Sequence, residues 1–378
     1  FLDPHTVRVV STLNPDGSNA PDAAAEPPKE VVLQAETILI ATGSSPVRPP
    51  MFPFEHIRVH DSDEILEMDR LPRTLAVVGA GVIGSEYACT FAALGVKVWM
   101  IDGRGELLPM LDADLSKALE ASMREKLGIT FLWNRRVTAC EAPEHGDEVT
   151  LTIDDDPSQK LTVEGVLIAA GRSSNTQNLN LEAAGLVPGN RGLLVVDEHY
   201  RTSVPHIYAA GDVIGYPALA STSMEQARVA MCHACHVGLK LHVSSLLPTG
   251  IYTIPEASMV GASEEEVKKA GIPYVVGRAS YAQSSRGEII GDDTGFLKLI
   301  FRRDDMKLLG VHVLGEHATE LVHIGVIAMQ TDSTVELFNR ACFNFPTLGD
   351  MYKSAAYNAI WTRNGEAEAA TETMPERV

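Results

Sequence analysis

The sequence predicts an α/β protein with two units built on parallel strands and a third, α+β unit at its C-terminal end. Three observations predict this class. The apolar run Thr37–Gly43 reads as a buried strand that ends in a glycine turn. A strand pattern at Thr74–Val78, a glycine turn, a helical pattern at Ser85–Leu94 and a strand at Val96–Ile101 form a strand–turn–helix–strand unit. From Leu246 onwards the pattern changes to strands separated by helices. The 378 residues suit two or three domains rather than one core.

The order of these patterns divides the chain into five segments. We expect residues 1–70 to belong to the first unit, 71–174 to the second, 175–245 to the first again, and 246–362 to the α+β unit. Residues 363–378 are rich in Glu, Ala and Thr and are expected to be disordered. The Pro-, Ala- and Glu-rich stretch 19–30 is expected to be a loop. Because the chain opens at Phe1 in the middle of a strand-like pattern, without a signal peptide, we expect the natural N-terminus to lie upstream.

The composition excludes some classes of partner. Asp and Glu number 50 against 31 Lys and Arg, which gives a net charge of −19. Such a surface repels phosphate backbones and anionic lipid, so neither nucleic acid nor a membrane is expected as the main partner. No apolar run reaches the roughly 20 residues that cross a bilayer. The five cysteines are irregularly spaced, which favours reduced thiols and a cytoplasmic protein.

The glycine turn predicts a nucleotide site. Gly79-x-Gly81-x-x-Gly84 follows an apolar strand and precedes a helix, and Asp102 ends the next strand 23 positions after Gly79. The first glycine allows a tight turn, the second admits a pyrophosphate, and the third lets the helix pack on the strand. The helix N-terminus favours the negative charge, and Asp102 would accept hydrogen bonds from an adenosine ribose. The alternative is a glycine turn that serves the fold alone.

The residues after the second strand bear on the choice of nucleotide. A carboxylate at Asp102 suits the free 2′-hydroxyl of NAD(H) and repels a 2′-phosphate. Arg104, two residues on, could pair with the 2′-phosphate of NADP(H) if Asp102 moved away. It could equally be a solvated loop arginine. The loop therefore leaves use of NAD(H), NADP(H) or both open.

Three short elements together resemble the glutathione reductase/dihydrolipoamide dehydrogenase superfamily. They are Ala41-Thr42-Gly43, Gly79–Gly84 and Tyr208-Ala-Ala-Gly211-Asp212, in the order and spacing of that superfamily over nearly the whole chain. The resemblance implies two Rossmann-like dinucleotide-binding folds, of which the FAD fold is incomplete, and a C-terminal α+β dimerisation domain. It implies that Asp212 binds the FAD ribitol and that a helix opening near Ser223 points its N-terminus at the flavin. The alternative for Asp212 is a turn or cap residue.

Within the superfamily the chain is most similar to the soluble pyridine nucleotide transhydrogenase family. Four stretches carry this resemblance: Gly215–Ser221, Pro248–Glu256, Gly315–Gly325 and Phe343–Tyr352. It implies FAD-dependent transfer of hydride between NADPH and NAD⁺, of the Si-specific type, by a homodimer or a higher homo-oligomer. The nicotinamide nucleotides would then be substrates, bound in turn.

One position separates two chemistries within the superfamily. Its disulfide reductases carry His-Pro-Thr followed by Glu, where the histidine exchanges protons with a thiol. Here the stretch reads Phe345-Pro346-Thr347 with Asp350 near the Glu position, and a phenyl ring cannot move protons. Since a redox cysteine pair would lie upstream of Phe1, a disulfide or dithiol oxidoreductase similar to dihydrolipoamide dehydrogenase stays open. A non-catalytic NAD-binding, dimerising fragment is a second alternative, because no FAD glycine turn precedes residue 79.

The resemblance adds a glutamate and a three-residue turn on the nicotinamide side. Glu86 matches an acidic residue near the nicotinamide, and Ala170-Gly171-Arg172 matches a turn beside the cofactor cleft. Glu86 could instead be a first-turn helix carboxylate, and Arg172 a solvated residue. No side chain is predicted to be catalytic, because the cofactor carries the chemistry.

A cysteine and histidine pattern falls outside this scheme. Cys232-x-x-Cys235-His236 fits a haem-attachment or metal-binding pattern, but it lies in a stretch that reads as helix, Glu225–Val237. We therefore predict no metal site.

Overall fold

The structure, a computed structural model, describes residues 1–10, 30–144 and 146–372, with side chains as far as residue 365. The stretch expected to be a loop at 19–30 lies outside the described residues except for Glu30, which starts a strand. In chain order the strands are β1 (Thr6–Val10), β2 (Glu30–Gln34), β3 (Ile38–Ile40), β4 (Ser44–Pro46), β5 (Val59–Asp61), β6 (Thr74–Val78), β7 (Lys97–Asp102), β8 (Thr130–Trp133), β9 (Val137–Glu141), β10 (Val149–Ile153), β11 (Asp156–Val163), β12 (Gly165–Ile168), β13 (Arg172–Ser174), β14 (Ile207–Ala209), β15 (Thr249–Ile251), β16 (Ala257–Gly261), β17 (Tyr274–Ser280), β18 (Phe296–Arg302) and β19 (Leu308–Leu314). The α-helices are α1 (Val82–Ala93), α2 (Ala113–Glu125), α3 (Ala220–Ala234), α4 (Glu264–Lys269), α5 (Ser285–Ile290), α6 (Ala318–Gln330), α7 (Val335–Arg340) and α8 (Met351–Glu372).

The chain folds into two compact units, each made of two segments. The first unit comprises Phe1–Ser45 and Arg172–Ser245, and the second comprises Pro46–Gly171 and Leu246–Val378. The sequence placed the first boundary after residue 70, whereas the structure assigns residues 46–70 to the second unit. The reason is strand β5, which pairs in parallel with β12 and so becomes an edge of the second unit's sheet.

The first unit is organised around a pair of parallel strands. Strand β3 lies beside β14, with Ile40 opposite Ala209. Ile40, Ile207 and Val213 belong to one buried apolar cluster of this unit. Because parallel neighbours end at the same edge, the turns after β3 and β14 come together there.

The second unit contains a five-stranded parallel sheet in the order β5-β12-β6-β7-β8. Leu75, Val77 and Leu167 of this sheet belong to one core cluster, and Ala76 and Val166 to another. Buried strands of this kind are expected to be continuous apolar runs. Helix α1 begins at Val82, three residues before the expected start, because the extended Gly81 is already its N-cap.

The C-terminal part of the second unit is an antiparallel sheet covered by helices. Its strand order is β15-β16-β19-β18-β17. Helix α8 packs so closely on β17 that a Cβ at Gly277 would lie 2.1 Å from the carbonyl oxygen of Ala355. The tail expected to be disordered from residue 363 is helical as far as Glu372, since Ala and Glu are strong helix formers. Residues 373–378 lie outside the described residues.

A buried lysine joins the C-terminal sheet of the second unit to the N-terminus of helix α2. Lys298 of β18 is fully buried, and its Nζ donates to both oxygens of Asp112, at 2.8 and 3.0 Å, and to Asp114 at 2.7 Å. Nζ also lies 2.7 Å from a carboxylate oxygen of Glu264. Asp112 caps helix α2 by accepting a hydrogen bond from the N–H of Asp114. The end of the loop that follows Asp102 is therefore fixed to the C-terminal sheet.

Among the described helices, none combines the length and the apolar character that crossing a membrane requires.

Candidate functional site

Two of the three glycines in the predicted turn are required by the packing of the second unit. Gly79 has φ +110°, and a Cβ there would lie 2.4 Å from the carbonyl oxygen of Ala169. A Cβ at Gly84 would lie 2.0 Å from the carbonyl oxygen of Gly79. Side chains at these positions would therefore collide with backbone. These glycines let β6, the turn and α1 pack tightly.

Gly81 differs, because no contact within the protein requires a glycine at this position. Its backbone is extended, with φ −79°, and a Cβ there would meet nothing within 4 Å. The open space lies beside the N-terminus of α1, where the first turn of the helix carries no acidic residue. Free N–H groups and the helix dipole attract an anion at such a position. The turn thus fits the pyrophosphate that the sequence predicted.

Asp102 lies at the end of β7 and is hydrogen-bonded by its own chain. Its Oδ2 accepts the N–H of Ala80 at 2.7 Å, which ties the strand end to the glycine turn. Arg104 donates to the same carboxylate through its backbone N–H at 2.8 Å, Nε at 2.9 Å and Nη2 at 2.8 Å. Burial alone would raise the pKa of Asp102, but the hydrogen bonds from Arg104 and Ala80 lower it to about 2.

Arg104 was expected to be either a phosphate ligand or a solvated residue. In the structure it is instead the ion-pair partner of Asp102. Its guanidinium is paired with Asp102, which in turn raises the pKa of Arg104. The four hydrogen bonds nearly fill the lone-pair positions of the Asp102 carboxylate. A ribose hydroxyl can therefore reach Asp102 only after the guanidinium has moved.

Glu86 lies in the second turn of α1, so it is not the first-turn carboxylate that one explanation required. Its Oε1 accepts the backbone N–H of Tyr252 at 2.8 Å. Burial raises the pKa of Glu86 against the opposing effect of that hydrogen bond. The carboxylate thus joins the nucleotide-side helix to the segment after β15. The sequence offered no signal for this partner.

Gly171 follows the end of β12, two residues after the carbonyl against which Gly79 packs. It has φ +111°, and its carbonyl oxygen accepts the N–H of Val47 at 2.9 Å. A Cβ at Gly171 would meet nothing within 4 Å, so its left-handed backbone rather than crowding favours glycine. The structure therefore places Gly171 at the same end of the parallel sheet as the glycine turn.

In the first unit, the turn after β3 is fixed by residues 172–175. Thr42 Oγ1 donates to the carbonyl of Asn175 at 2.8 Å, and Asn175 Nδ2 donates to the carbonyl of Thr42 at 3.0 Å. Gly43 has φ +72°, and a Cβ there would meet nothing within 4 Å. Arg172 donates through Nε to Ser44 Oγ at 2.8 Å. Arg172 is thus a structural partner of this turn; the sequence analysis did not identify Ser44 or Asn175.

Asp212 faces this turn from the end of β14. Its Oδ2 accepts a hydrogen bond from Ser44 Oγ at 2.6 Å. The preceding Gly211 has φ +81°, and its N–H donates to the buried Gln226 Oε1 at 2.8 Å. Among the described residues, Ser44 is the one side chain that hydrogen-bonds the Asp212 carboxylate. The remaining acceptor positions fit the hydroxyl groups of a polyol such as the ribitol of FAD.

The helix and cysteine pattern after this turn differ from expectation. Helix α3 begins at Ala220 rather than near Ser223, and it ends at Ala234. His236 has φ +55°, so it is not on the same helix face as Cys232. Within the described residues no group of three or more His, Cys, Asp or Glu side chains is placed so that it could hold a metal ion. His233, by contrast, hydrogen-bonds the hydroxyl of Tyr208 through Nδ1 at 2.9 Å.

Known families match both parts of the chain. Residues 8–231 match the family described as pyridine nucleotide-disulphide oxidoreductase, and residues 247–356 match its dimerisation domain. The chain belongs to the pyridine nucleotide-disulphide oxidoreductase family. This confirms the predicted superfamily and the predicted fold class of dinucleotide-binding and dimerisation domains.

Two individual relatives within this family carry the same name. The chain is 43% identical over 360 residues to the soluble pyridine nucleotide transhydrogenase of Mycobacterium bovis, covering 95% of this chain and 73% of that protein. It is 44% identical over 325 residues to that of Marinobacter nauticus, covering 85% and 69%. The predicted resemblance to this group is therefore confirmed.

Two solved structures share the fold. The HOCl-induced flavoprotein disulfide reductase RclA from Escherichia coli superimposes with a TM-score of 0.84 at 25% identity, covering 94% of this chain and 77% of that one. LpdA from Mycobacterium tuberculosis gives a TM-score of 0.80 at 28% identity, covering 94% and 74%.

Proposed function

We propose that this protein catalyses hydride transfer between NADPH and NAD⁺ and uses FAD as its prosthetic group. The observation that carries the proposal is the open face of Gly81, beside the N-terminus of α1 and next to Asp102. That geometry suits a dinucleotide. The reaction is inferred from two relatives, at 43% and 44% identity, that are named soluble pyridine nucleotide transhydrogenase. The predicted site residues are part of this proposal.

The nucleotide side is proposed to act by binding and orientation. The glycine turn and the N-terminus of α1 hold the pyrophosphate of either nucleotide, which enters and leaves in turn. Asp102 and Arg104 hold the adenosine ribose, and Glu86 and Gly171 border the nicotinamide end. No side chain of this group needs to gain or lose a proton.

The flavin side is proposed to hold FAD through the two turns of the first unit. Thr42 and Gly43 offer backbone at close approach, Gly211 fixes the second turn, and Asp212 accepts hydrogen bonds from the ribitol. FAD, when bound, supplies the group that accepts a hydride from one nucleotide and returns it to the other.

The disulfide reductase alternative is less well supported. Phe345 stands where the reductases carry a histidine, and its side chain is exposed at 73%. A phenyl ring offers no base for a thiol. We therefore expect no turnover of lipoamide or glutathione disulfide with either nucleotide.

We also propose a homodimer in the cytoplasm with Si-specific transfer. The dimer rests on the match of residues 247–356 to a dimerisation domain. The location rests on the word soluble in the relatives' names. The face of the nicotinamide ring from which the hydride leaves can be tested directly with stereospecifically deuterated NADPH.

Rapid mixing without oxygen tests the reaction. The protein, loaded with FAD, is mixed first with NADPH, and the flavin absorbance is expected to fall; mixing the reduced protein with NAD⁺ is expected to restore it. Failure of either half would refute the proposal. A colourless protein that binds NAD(H) but retains no FAD would instead support a non-catalytic nucleotide-binding fragment.

A further inference from the structure

Arg136 lies beside the ribose end of the nucleotide site, although sequence reasoning did not single it out. Strand β8 runs parallel to β7, with Trp133 opposite Asp102. The chain then turns at Asn134, which has φ +56°. The N–H of Asn134 donates to the carbonyl of Arg104 at 3.0 Å, and the N–H of Arg135 donates to that of Asp102 at 3.1 Å. The segment 134–136 is thus fixed against the turn that contains Asp102 and Arg104.

The side chain of Arg136 lies over Gly103, the residue between Asp102 and Arg104. A Cβ at Gly103 would be 3.2 Å from Nε and 3.6 Å from Cγ of Arg136. Glycine at position 103 therefore leaves the room that the arginine occupies. Arg136 is also exposed, so its guanidinium can meet a ligand from solvent.

Three arginines surround this turn, and they differ in their partners. Arg104 is paired with Asp102, and Arg135 Nη1 is paired with Asp154 at 2.7 Å. Within the described part of the chain, the guanidinium of Arg136 has no carboxylate within ion-pair distance. Asp154 interacts with its charge only at longer range, and its Oδ1 accepts the backbone N–H of Arg136 at 2.8 Å. Arg136 is the cation of this turn that remains available for an anion.

Because Asp102 is paired with Arg104, binding a 2′-phosphate at this turn requires a second positive charge. A 2′-phosphate carries between one and two negative charges at neutral pH and would draw the guanidinium of Arg104 from Asp102. Asp102, left with its charge, would then repel the phosphate. Arg136 supplies a second positive charge that offsets this repulsion. For NAD(H), the same opening of the ion pair suffices without a second cation, because Arg104 moves away and the Asp102 carboxylate accepts the ribose hydroxyls.

We propose that Arg136 and Arg104 together bind the adenosine 2′-phosphate of NADP(H) across Gly103, while Asp102 serves the ribose of NAD(H). This rests on the proposed function and makes Arg136 a specificity-determining residue of the same nucleotide site. One turn then accepts both nucleotides, because opening the ion pair exposes Asp102 to the ribose of NAD(H) and frees Arg104 to join Arg136 at the 2′-phosphate of NADP(H).

The test compares Arg136→Gln with its neighbour Arg135→Gln as the matched control. Calorimetric titrations use 2′,5′-ADP and 5′-ADP, which differ by the phosphate alone, and then NADPH and NADH. We expect Arg136→Gln to weaken binding of 2′,5′-ADP and NADPH by about tenfold or more, the loss typical of a charge-assisted hydrogen bond. Binding of 5′-ADP and NADH should change by less than about twofold. Arg135→Gln should leave all four within about twofold, because its exposed ion pair contributes little.

Three results would overturn the proposal: unchanged binding of 2′,5′-ADP by Arg136→Gln, an equal loss for both ADP probes, or an equal effect of Arg135→Gln. Circular dichroism of each variant checks that the fold is retained. The proposed function fails separately, in the rapid-mixing experiment, where the unaltered protein loaded with FAD would fail at least one of the two half-reactions. If the unaltered protein binds both and Arg136→Gln does not discriminate, the assignment of Arg136 alone is wrong.

Discussion

Asp102 and Asp212 occupy equivalent places in the two units, yet their surroundings differ. Each lies at the carboxyl end of a parallel strand, Asp102 as the last residue of β7 and Asp212 three residues beyond β14, and each was predicted to accept hydrogen bonds from a ligand. Asp102 already accepts four hydrogen bonds from Ala80 and Arg104. Asp212 accepts one from Ser44 among the described residues. One carboxylate is therefore nearly saturated, whereas the other retains most of its acceptor capacity.

This difference matches what each side is proposed to hold. A prosthetic group that stays bound suits a carboxylate with permanently available acceptor positions. A site through which two nucleotides pass suits a carboxylate that the protein itself satisfies whenever the site is empty, because an unpaired buried carboxylate is costly. The comparison predicts that changes on one side leave the other side's ligand in place.

The largest effect is expected from the glycine turn of the second unit. Gly79→Ala places a Cβ about 2.4 Å from the Ala169 carbonyl and requires a left-handed alanine, so we expect a protein that unfolds at markedly lower temperature. Gly81→Ala meets no protein atom and should keep its melting temperature while losing NADH and NADPH affinity by about tenfold or more. Thermal melts and nucleotide titrations distinguish the two. Normal nucleotide binding by Gly81→Ala would contradict the assigned site.

The next largest effect concerns FAD. Asp212→Ala removes the free acceptor of the first unit, and we expect FAD affinity to fall by about 1.5–3 kcal/mol, the range for hydrogen bonds to charged groups. The ratio of flavin to protein absorbance after gel filtration measures the loss. Asp212→Asn, which keeps an acceptor oxygen, is the matched variant and should lose less. NADH binding should be unchanged in both, and an equal loss of NADH would undo the separation of the two sides.

A selectivity change is expected from Asp102→Asn. The amide cannot hold the Arg104 guanidinium as an ion pair, so Arg104 is freed for a 2′-phosphate and the ribose of NADH loses its carboxylate. We expect the ratio of NADPH to NADH affinity to rise by about tenfold. Titration with both nucleotides measures the ratio. A parallel loss for both would show that Asp102 acts on the fold rather than on selectivity.

The same carboxylate gives a pH dependence with a definite sign. The pKa of Asp102 is lowered from 3.8 to about 2, so the folded state prefers the ionised form. The stability contributed by this group is present above 3.8 and is lost as the pH falls towards 2. Between pH 7 and pH 5, the difference in melting temperature between the unaltered protein and Asp102→Asn should stay constant. A difference that shrinks in that window would mean that the Asp102 carboxylate titrates there.

The sequence predicted the strands and turns that place both carboxylates, because these depend on local patterns. Thr74–Val78 is a strand in the structure with the predicted bounds, and the apolar run before Gly43 contains the strand Ile38–Ile40, of which Ile40 alone is buried. The glycine at position 79 could be interpreted in advance, since a tight turn requires it.

The partners of the site side chains could not be predicted in the same way. Ser44 lies 168 positions from Asp212, and Tyr252 lies 166 positions from Glu86. No local spacing contains such contacts, because they arise from how distant segments pack. Arg104 lies only two residues from Asp102, but whether it faces the carboxylate or solvent depends on side-chain conformation. The start of helix α1 was displaced by three residues for a related reason, since an N-cap at Gly81 leaves no side-chain signal.

The smallest effect is expected at Glu86, which has no counterpart on the flavin side. Burial raises its pKa above 4.5, so its ionised form opposes folding, and this cost is present at neutral pH and disappears as the pH falls below 4.5. Glu86→Gln removes the charge and keeps an oxygen for the Tyr252 N–H, so its melting temperature should equal or slightly exceed that of the unaltered protein at pH 7. Glu86→Ala leaves that N–H without its partner and should lose about 1 kcal/mol. If both variants were destabilised equally at pH 7, the negative charge itself would be needed there, and Glu86 would have to face a cation such as the oxidised nicotinamide ring.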